Sequence, residues 1–246
     1  MIDLVGLGIL GLAALLLAVL TQLRRRSVPR LRPIAGLSRL YRAFGLSVED
    51  GSRLLIGLGG SSLLTREAGA ALAGLGLLRE VSQKASASDR PPVAVSGEAA
   101  LTLLSQDSLE AGYRAIGAGE YYQPSTGRLA GMTPFSSAAA TMLMLKDEHV
   151  STAALIGRFG VEAALLAEAA DRAGAVLLGS SSETAAQAAL YATASETLIG
   201  EELYAAPAYF GGRPTFIAGL TVEDILRWLI ILGLLVAAAL KILGLY

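Results

Sequence analysis

Glycine- and serine-rich segments, one of which carries an arginine, are the part of this sequence best suited to ligand chemistry. One is Gly57-Leu-Gly-Gly-Ser61, and another is Gly157-Arg-Phe-Gly160. Glycine lets the backbone approach an anion, and a following helix presents N–H groups and the positive end of its dipole. Arg158 can add a bidentate contact to phosphate or carboxylate. The predicted binding residues for a nucleotide or anionic metabolite are Gly57, Gly59, Gly60, Ser61, Gly157, Arg158, Gly160 and Ser180.

The same residues have a second interpretation that needs no ligand. Turns between strands and helices use glycine for its backbone freedom and serine as a helix cap. No G-K-[ST] triplet occurs, so the phosphate-binding loop of P-loop nucleoside triphosphatases is excluded. Both interpretations of the glycine turns stay open.

Four glutamates are candidates for a functional acid: Glu162, Glu168, Glu201 and Glu202. Glu201 and Glu202 follow Ile199-Gly200, which predicts a position at or near a helix start, where carboxylates suit the dipole. Capping or solvation is favoured over catalysis for all four.

Familiar catalytic and metal-binding patterns are missing from the sequence. His149 is the only histidine and lies in the polar segment Lys146-Asp-Glu-His149, where we expect it to be solvated. Cysteine is absent, which excludes thiolate zinc sites and Cys–His catalysis. The nucleophile elbow G-x-S-x-G is also absent. We therefore predict no catalytic residue, no metal site and no cofactor.

Composition also argues against nucleic acid as a partner. The net charge is −1, and aromatic residues make up 6% of the chain. There is no basic field to attract a phosphate backbone and no aromatic cluster on which bases can stack.

Short apolar runs alternate with helical patterns through the middle of the chain. The expected strands are Arg53–Ile56, Pro92–Val95, Leu129–Met132, Thr152–Ile156, Ala175–Leu178 and, as a sixth, Thr215–Ala218. Such alternation predicts βαβ units, and runs without polar alternation are typical of strands buried on both faces. The predicted fold is α/β: a doubly wound, Rossmann-like parallel sheet flanked by N- and C-terminal transmembrane helices.

The first apolar end predicts a membrane-spanning helix. Leu4–Leu23 contains twenty residues without a charge, enough to cross the hydrocarbon core of a bilayer. Asp3 precedes this run and three arginines follow it, the reverse of the charge order in a cleaved signal peptide. We expect a retained helix.

The second apolar end allows two interpretations. Trp228–Tyr246 carries one charge, Lys241, which can extend to the membrane interface. Its uncharged core, Trp228–Leu240, has thirteen residues, a length that also fits a helix docked on the domain. We expect it to span. The predicted lipid-interface residues are Arg24, Arg25, Arg26, Arg227, Trp228 and Lys241.

Basic residues predict the orientation in the membrane. Lys and Arg close to a span favour the cytoplasmic side, and Arg24–Arg32 holds five arginines. The central domain is therefore expected in the cytoplasm of a two-pass cell-membrane protein, with both termini outside.

The first span contains a false nucleotide motif. Gly6-Leu-Gly-Ile-Leu-Gly11 matches G-x-G-x-x-G, but no strand precedes it. Small residues let helices approach closely in lipid, which predicts packing faces at Gly11, Ala14 and Ala18 and at Gly233 and Ala237. The alternative is that glycine and alanine are simply abundant here.

Four segments follow from these patterns: a transmembrane helix at 2–23, a basic juxtamembrane linker with a short helix at 24–50, a cytoplasmic α/β domain at 51–222 and a transmembrane helix at 225–246. The arginines of the linker either contact anionic headgroups or serve as a topology signal.

Several stretches carry a resemblance to a known family. They are Gly57–Gly60, Thr65–Leu75, Ile156–Gly160 with Glu162, Leu190–Thr193, Leu198–Leu203 and Arg227–Ile230. The chain resembles bacterial membrane proteins of the domain-of-unknown-function family 6754 from end to end. The resemblance implies the order anchor, domain, anchor, and implies no activity.

Two hypotheses of function follow. The first is a non-catalytic membrane protein that presents its α/β domain and assembles with copies of itself, or serves as a scaffold subunit of another membrane complex. The second is a sensor module that binds a nucleotide or anionic metabolite at the glycine turns.

Overall fold

The computed structural model describes residues 4–25, 31–65, 67–85, 88 and 90–243. The chain divides into two compact units. One unit is Arg32–Gly211 and contains the sheet; the other combines Met1–Leu31 with Gly212–Tyr246 and contains the two apolar ends.

The sheet unit is built on parallel strands in the doubly wound order. Six strands are found in the described residues, in the order β3-β2-β1-β4-β5-β6, and every neighbouring pair is parallel. This is the Rossmann strand order, so the predicted fold class is confirmed. The strands are β1 Arg53–Gly59, β2 Val93–Ser96, β3 Gly127–Leu129, β4 Val150–Arg158, β5 Val176–Ser181 and β6 Glu196–Thr197.

Helices cover both faces of the sheet. On one face lie α2 Ala35–Glu49, α3 Ala68–Ala85, α4 Ala99–Ala115 and α8 Glu202–Gly211. On the other lie α5 Pro134–Asp147, α6 Ala163–Arg172 and α7 Thr184–Thr193. The segment expected as a juxtamembrane helix is α2, which buries Leu37, Leu40 and Phe44 and contacts β1, β4 and β5.

Alternate strand residues supply the two cores. Leu55, Leu155 and Leu177 join the cluster beneath α5, α6 and α7. Leu58 of β1 and Leu178 of β5 point to the opposite face of the sheet, where they lie against α3 and α2 respectively. Because both faces are covered by helices, the strands read as continuous apolar runs.

Two strand predictions were wrong. The third strand is Gly127–Leu129, two residues earlier than expected, because Gly131 and Met132 belong to the loop before α5. Thr215–Ala218 lies inside a helix, α9 Pro214–Ile242, since Pro214 stands at the helix start and an apolar helical pattern continues from it. The sixth strand is instead Glu196–Thr197, too short to produce a sequence signal.

The second unit contains α9 and α1, Leu4–Arg24. The two helices contact each other, and Arg24 Nη2 donates a hydrogen bond of 3.5 Å to Thr221 Oγ1. Both helices are long and apolar enough to cross a membrane.

At the sheet centre, β1 and β4 approach so closely that glycine is required on both strands. A Cβ at Gly157 would lie 2.0 Å from the carbonyl oxygen of Leu58. Gly59 has φ of +68°, and a Cβ there would lie 2.1 Å from the carbonyl oxygen of Arg158. The register shifts between Gly57 and Gly59. These glycines are therefore explained by strand packing.

We predict that Gly157→Ala destabilises the protein by about 2–3 kcal/mol, because its methyl group would force β1 and β4 apart. Gly60→Ala is the matched control, since a Cβ at Gly60 meets no atom within 4 Å; we expect a change below about 0.5 kcal/mol. The measurement is denaturant unfolding of the full chain in mild detergent, followed by circular dichroism. Equal midpoints for the two variants would contradict the close β1–β4 packing.

Candidate functional site

A cavity of about 530 Å³ opens at the carboxyl edge of the sheet, beside the ends of β1 and β4. The chain leaves β1 toward α3 on one face and leaves β4 toward α6 on the other. Adjacent strands whose connections diverge in this way form the topological switch point, where open α/β sheets bind ligands. The volume lies within the range of small-molecule pockets.

The cavity walls come from the ends of five strands or the loops that follow them, together with residues of α5 and α6. The glycines of the wall are Gly57, Gly59, Gly60, Gly97 and Gly160. Apolar side chains form most of the remaining surface, with a few polar and charged groups at the rim. These side chains are Val95, Met132, Pro134, Phe135, Ala138, Leu155, Phe159, Val161, Leu166, Thr133, Ser137, Thr141, Arg158, Glu162 and Glu183.

The loop after β3 carries exposed apolar side chains to the rim. Thr133 caps α5 in a capping box with Ser136, and Pro134 occupies the first turn, as the Thr-Pro pair in the sequence indicates. This cap fixes the position of the flanking residues Met132 and Phe135, which are 84% and 61% exposed. Large apolar groups are thus presented to solvent at the mouth of a cavity.

The loop after β4 is held by a buried serine. Ser181, at the end of β5, accepts hydrogen bonds from the N–H groups of Phe159 (3.0 Å) and Glu183 (3.1 Å). Its hydroxyl donates to the Phe159 carbonyl oxygen at 2.7 Å. Three hydrogen bonds on one side chain therefore fix the loop that contributes Phe159 to the cavity.

Arg158, a predicted ligand-binding residue, lines the cavity, but two carboxylates already pair with it. Its Nε is 2.8 Å from Glu67 Oε2, and its Nη2 is 2.6 Å from Glu183 Oε1. Glu67 immediately precedes α3, and Glu183 immediately precedes α7. Arg158 therefore links loops that lead to opposite faces of the sheet.

Glu162 is a buried acid of the cavity wall. The residue is 7% exposed and stands at the N-cap position of α6. Its Oε1 accepts a 2.7 Å hydrogen bond from the Gly160 N–H, and no side-chain bond to the helix is formed. Its Oε2 lies 2.7 Å from the position of a Cβ at Gly160, so a side chain at that position would have to displace the carboxylate.

Five of the predicted binding residues line the cavity and three do not. Those that line it are Gly57, Gly59, Gly60, Arg158 and Gly160. Ser61 and Ser180 are fully buried away from it, and Gly157 packs against Leu58. Gly60 differs from the other three glycines, because a Cβ there would meet no atom within 4 Å and its φ is not positive.

The other candidate acids and the histidine lie away from the cavity. Glu168 pairs with Arg172 one turn along α6 at 2.8 Å. Glu202 is in the first turn of α8, as expected, and its Oε1 is 3.1 Å from Arg32 Nη2. His149 is exposed, as predicted, with φ of 52° after the end of α5.

The predicted lipid-interface residues lie in α1 and α9, with two exceptions. Arg24 ends α1, Arg25 follows it directly, and Arg26 falls outside the described residues. Arg227 lies within 4.0 Å of Glu223 and Asp224, while Trp228 is 69% exposed. Lys241 is in the last turn of α9.

The sequence did not identify several residues that complete the cavity. Glu183, Met132 and Phe135 carry no motif, and neither does Glu67, which pairs with Arg158. Their common position at strand-to-helix loops becomes visible only when the strand order is known. The sequence identifies Glu162 as a candidate acid but does not predict its position in the cavity wall. Its spacing two residues after Gly160 was the one available signal.

The topology and the cavity define a doubly wound α/β protein with two candidate membrane-spanning helices. The chain belongs to the family described as "Domain of unknown function (DUF6754)", which it matches over residues 4–246. This confirms the family inferred from the sequence. No curated protein and no solved structure matches the chain.

We predict that Ser181→Ala lowers the free energy of unfolding by about 1–3 kcal/mol, because it removes the hydroxyl that holds the loop after β4. Ser182→Ala is the matched control: its hydroxyl is buried and has no partner among the described residues, so its loss leaves stability nearly unchanged. Thermal unfolding of the full chain in mild detergent measures both. A larger loss in Ser182→Ala would contradict the assigned hydrogen bonds.

Proposed function

We propose that this protein is a membrane-attached binding protein whose α/β domain takes a small organic molecule in the cavity at the carboxyl edge of the sheet. The observation that carries the proposal is a preformed cavity at the switch point, with Gly60 facing its open space. This function corresponds to the sensor hypothesis from the sequence, with the binding site now assigned to the cavity.

Exposed apolar side chains around the cavity support this function. Met132, Phe135 and Val161 come from two different loops and line the same cavity, although each is more than half exposed. Single exposed apolar residues need no explanation, but a group around one concave site is typical of a ligand-binding surface. A bound molecule with an apolar body would cover them.

The chemistry of the wall supports binding rather than reaction. Among the described lining residues there is no histidine, cysteine or lysine. The arginine is paired with two glutamates, and the buried glutamate is held by a backbone N–H. None of the usual pairings of a nucleophile with a base is formed here.

The membrane attachment is also part of the proposal. Arg24 ends α1 and Arg25 follows it directly, and Arg227 precedes the longest apolar run of α9. Basic residues at these positions favour the cytoplasmic side, which supports a cytoplasmic domain with both termini outside.

We predict that Gly60→Val abolishes ligand binding while leaving the fold intact, because the larger side chain projects into the open cavity. The measurement is a thermal-shift screen of the full chain in lipid nanodiscs against metabolites of all charge types. The matched control is Gly45→Val, also at a glycine whose Cβ meets no atom, but beside a different cavity of about 270 Å³ next to α2.

A shift that is lost only in Gly60→Val supports the proposal. A shift lost only in Gly45→Val assigns binding to the other cavity, and the absence of any shift across the panel counts against a binding function.

A second function, assembly in the membrane, is favoured by one feature of α1. The partly covered positions Ala13, Leu16 and Leu20 lie on the face of α1 that meets α9. Gly11, Ala14 and Ala18 are exposed on another face, and a Cβ at Gly11 meets no atom within 4 Å. Small residues on an uncovered helix face permit close contact with another helix in lipid, from a second copy or another membrane protein.

We predict that Gly11→Leu weakens self-association by about tenfold, since a bulky side chain would separate helices that meet on this face. Gly8→Leu is the comparison variant, because Gly8 is equally open but lies about 60° around the helix from Gly11 and farther still from Ala14 and Ala18. Native mass spectrometry and cross-linking in mild detergent measure the oligomer. A strictly monomeric parent protein would contradict the assembly function.

A further inference from the structure

The charges around the cavity point to the class of its ligand. We propose that the cavity takes an organic cation, meaning a molecule with an apolar, preferably aromatic, body and one protonated amine. This inference rests on the proposed binding function and deepens it. It differs from the anionic ligand that the glycine turns indicate in the sequence.

Arg158 is not free to bind an anion, because its guanidinium is already paired. Its guanidinium contacts Glu67 at 2.8 Å and Glu183 at 2.6 Å, so one positive charge is met by two negative charges. A phosphate or carboxylate arriving here would have to displace a carboxylate already in place. The three groups together leave one negative charge beside the cavity.

Glu162 adds a further negative charge to the cavity wall from a buried position. The residue is 7% exposed, and one oxygen is fixed by the Gly160 N–H at 2.7 Å. The other oxygen, Oε2, has no hydrogen-bond partner among the described residues. A carboxylate that lines a cavity in this way is suited to accept a hydrogen bond from an ammonium group.

The starts of α5 and α6 lie at the cavity, and helix starts ordinarily favour an anion. Glu162 stands at the start of α6, so its charge offsets the positive end of that helix. At the start of α5 the capping box of Thr133 and Ser136 already satisfies helix-end groups. No described lysine lines the cavity to compensate for the glutamates. The local field is therefore negative.

The apolar walls account for the rest of the ligand. Phe135 and Phe159 bring two aromatic rings to the cavity, and Met132 adds a polarisable side chain at its mouth. Aromatic faces attract cations, and aromatic ligands stack on them. A protonated amine on an aromatic body satisfies both the carboxylate and the rings.

Three indoles that differ in charge test the inference: tryptamine, tryptophol and indole-3-acetate. Binding is measured by calorimetry on the full chain in nanodiscs of zwitterionic lipid, with empty nanodiscs as the blank for partitioning into lipid. We expect tryptamine to bind at least about tenfold more tightly than indole-3-acetate, with tryptophol between them.

Glu162→Gln separates charge from structure, because glutamine can still accept the Gly160 hydrogen bond. We expect this variant to lose about tenfold in tryptamine affinity with tryptophol unaffected. Glu168→Gln, on the exposed side of the same helix and paired with Arg172, is the matched control and should bind like the parent. Gly60→Val should bind none of the three.

The outcomes distinguish this inference from the proposed function. Equal affinity for the three indoles, abolished by Gly60→Val, would overturn the cation preference and leave the cavity as a binding site. Preference for indole-3-acetate would overturn it in favour of an anion at the start of α5. Binding that survives Gly60→Val, or no binding at all, would overturn the cation inference and count against the cavity as the binding site.

Discussion

The close pairing of β1 with β4 is the constraint on which the rest of the α/β unit depends. Gly157 sits against the Leu58 carbonyl and Gly59 against that of Arg158, so the two central strands meet where side chains cannot fit. The register shift between Gly57 and Gly59 lies at the same place. Because the chain diverges to opposite faces just beyond this contact, the contact also sets the distance between the β1 and β4 residues that line the cavity.

Around that floor, the charged and polar groups act mainly as structural links. Arg158 joins the loops before α3 and α7, and Ser181 ties the end of β5 to the loop after β4. A cavity held in this way is preorganised, which lowers the conformational cost of binding. In the part of the chain that the structure describes, Arg158 is the arginine of the wall and is used in these links. Glu162 and the net negative charge of Glu67, Arg158 and Glu183 therefore decide the sign of the local field.

The unit with the two apolar helices and the cavity in the sheet unit are the bases of two compatible proposals. If the proposed ligand binding and the proposed contact through α1 occur in the same protein, occupancy of the cavity can alter assembly. Such coupling requires the ligand to bind the assembled and separate forms with different affinity. The binding and assembly measurements on the same variants would reveal it.

Local patterns in the sequence were sufficient for the fold class and for the two apolar helices. Apolar strands buried on both faces and twenty uncharged residues before an arginine group leave few physical alternatives. They failed at β6, where two residues form a strand only because β5 offers a partner, and at Thr215–Ala218, where the helix begun at Pro214 overrides the strand propensity. Of the eight residues that the sequence predicts as ligand-binding, Gly57, Gly59, Gly60, Arg158 and Gly160 line the cavity at one edge of the sheet. Only the tertiary structure decided what they do there, because the sign of a site's charge depends on residues far apart in sequence: Glu67, Arg158 and Glu183 become neighbours only when their strands and helices pack.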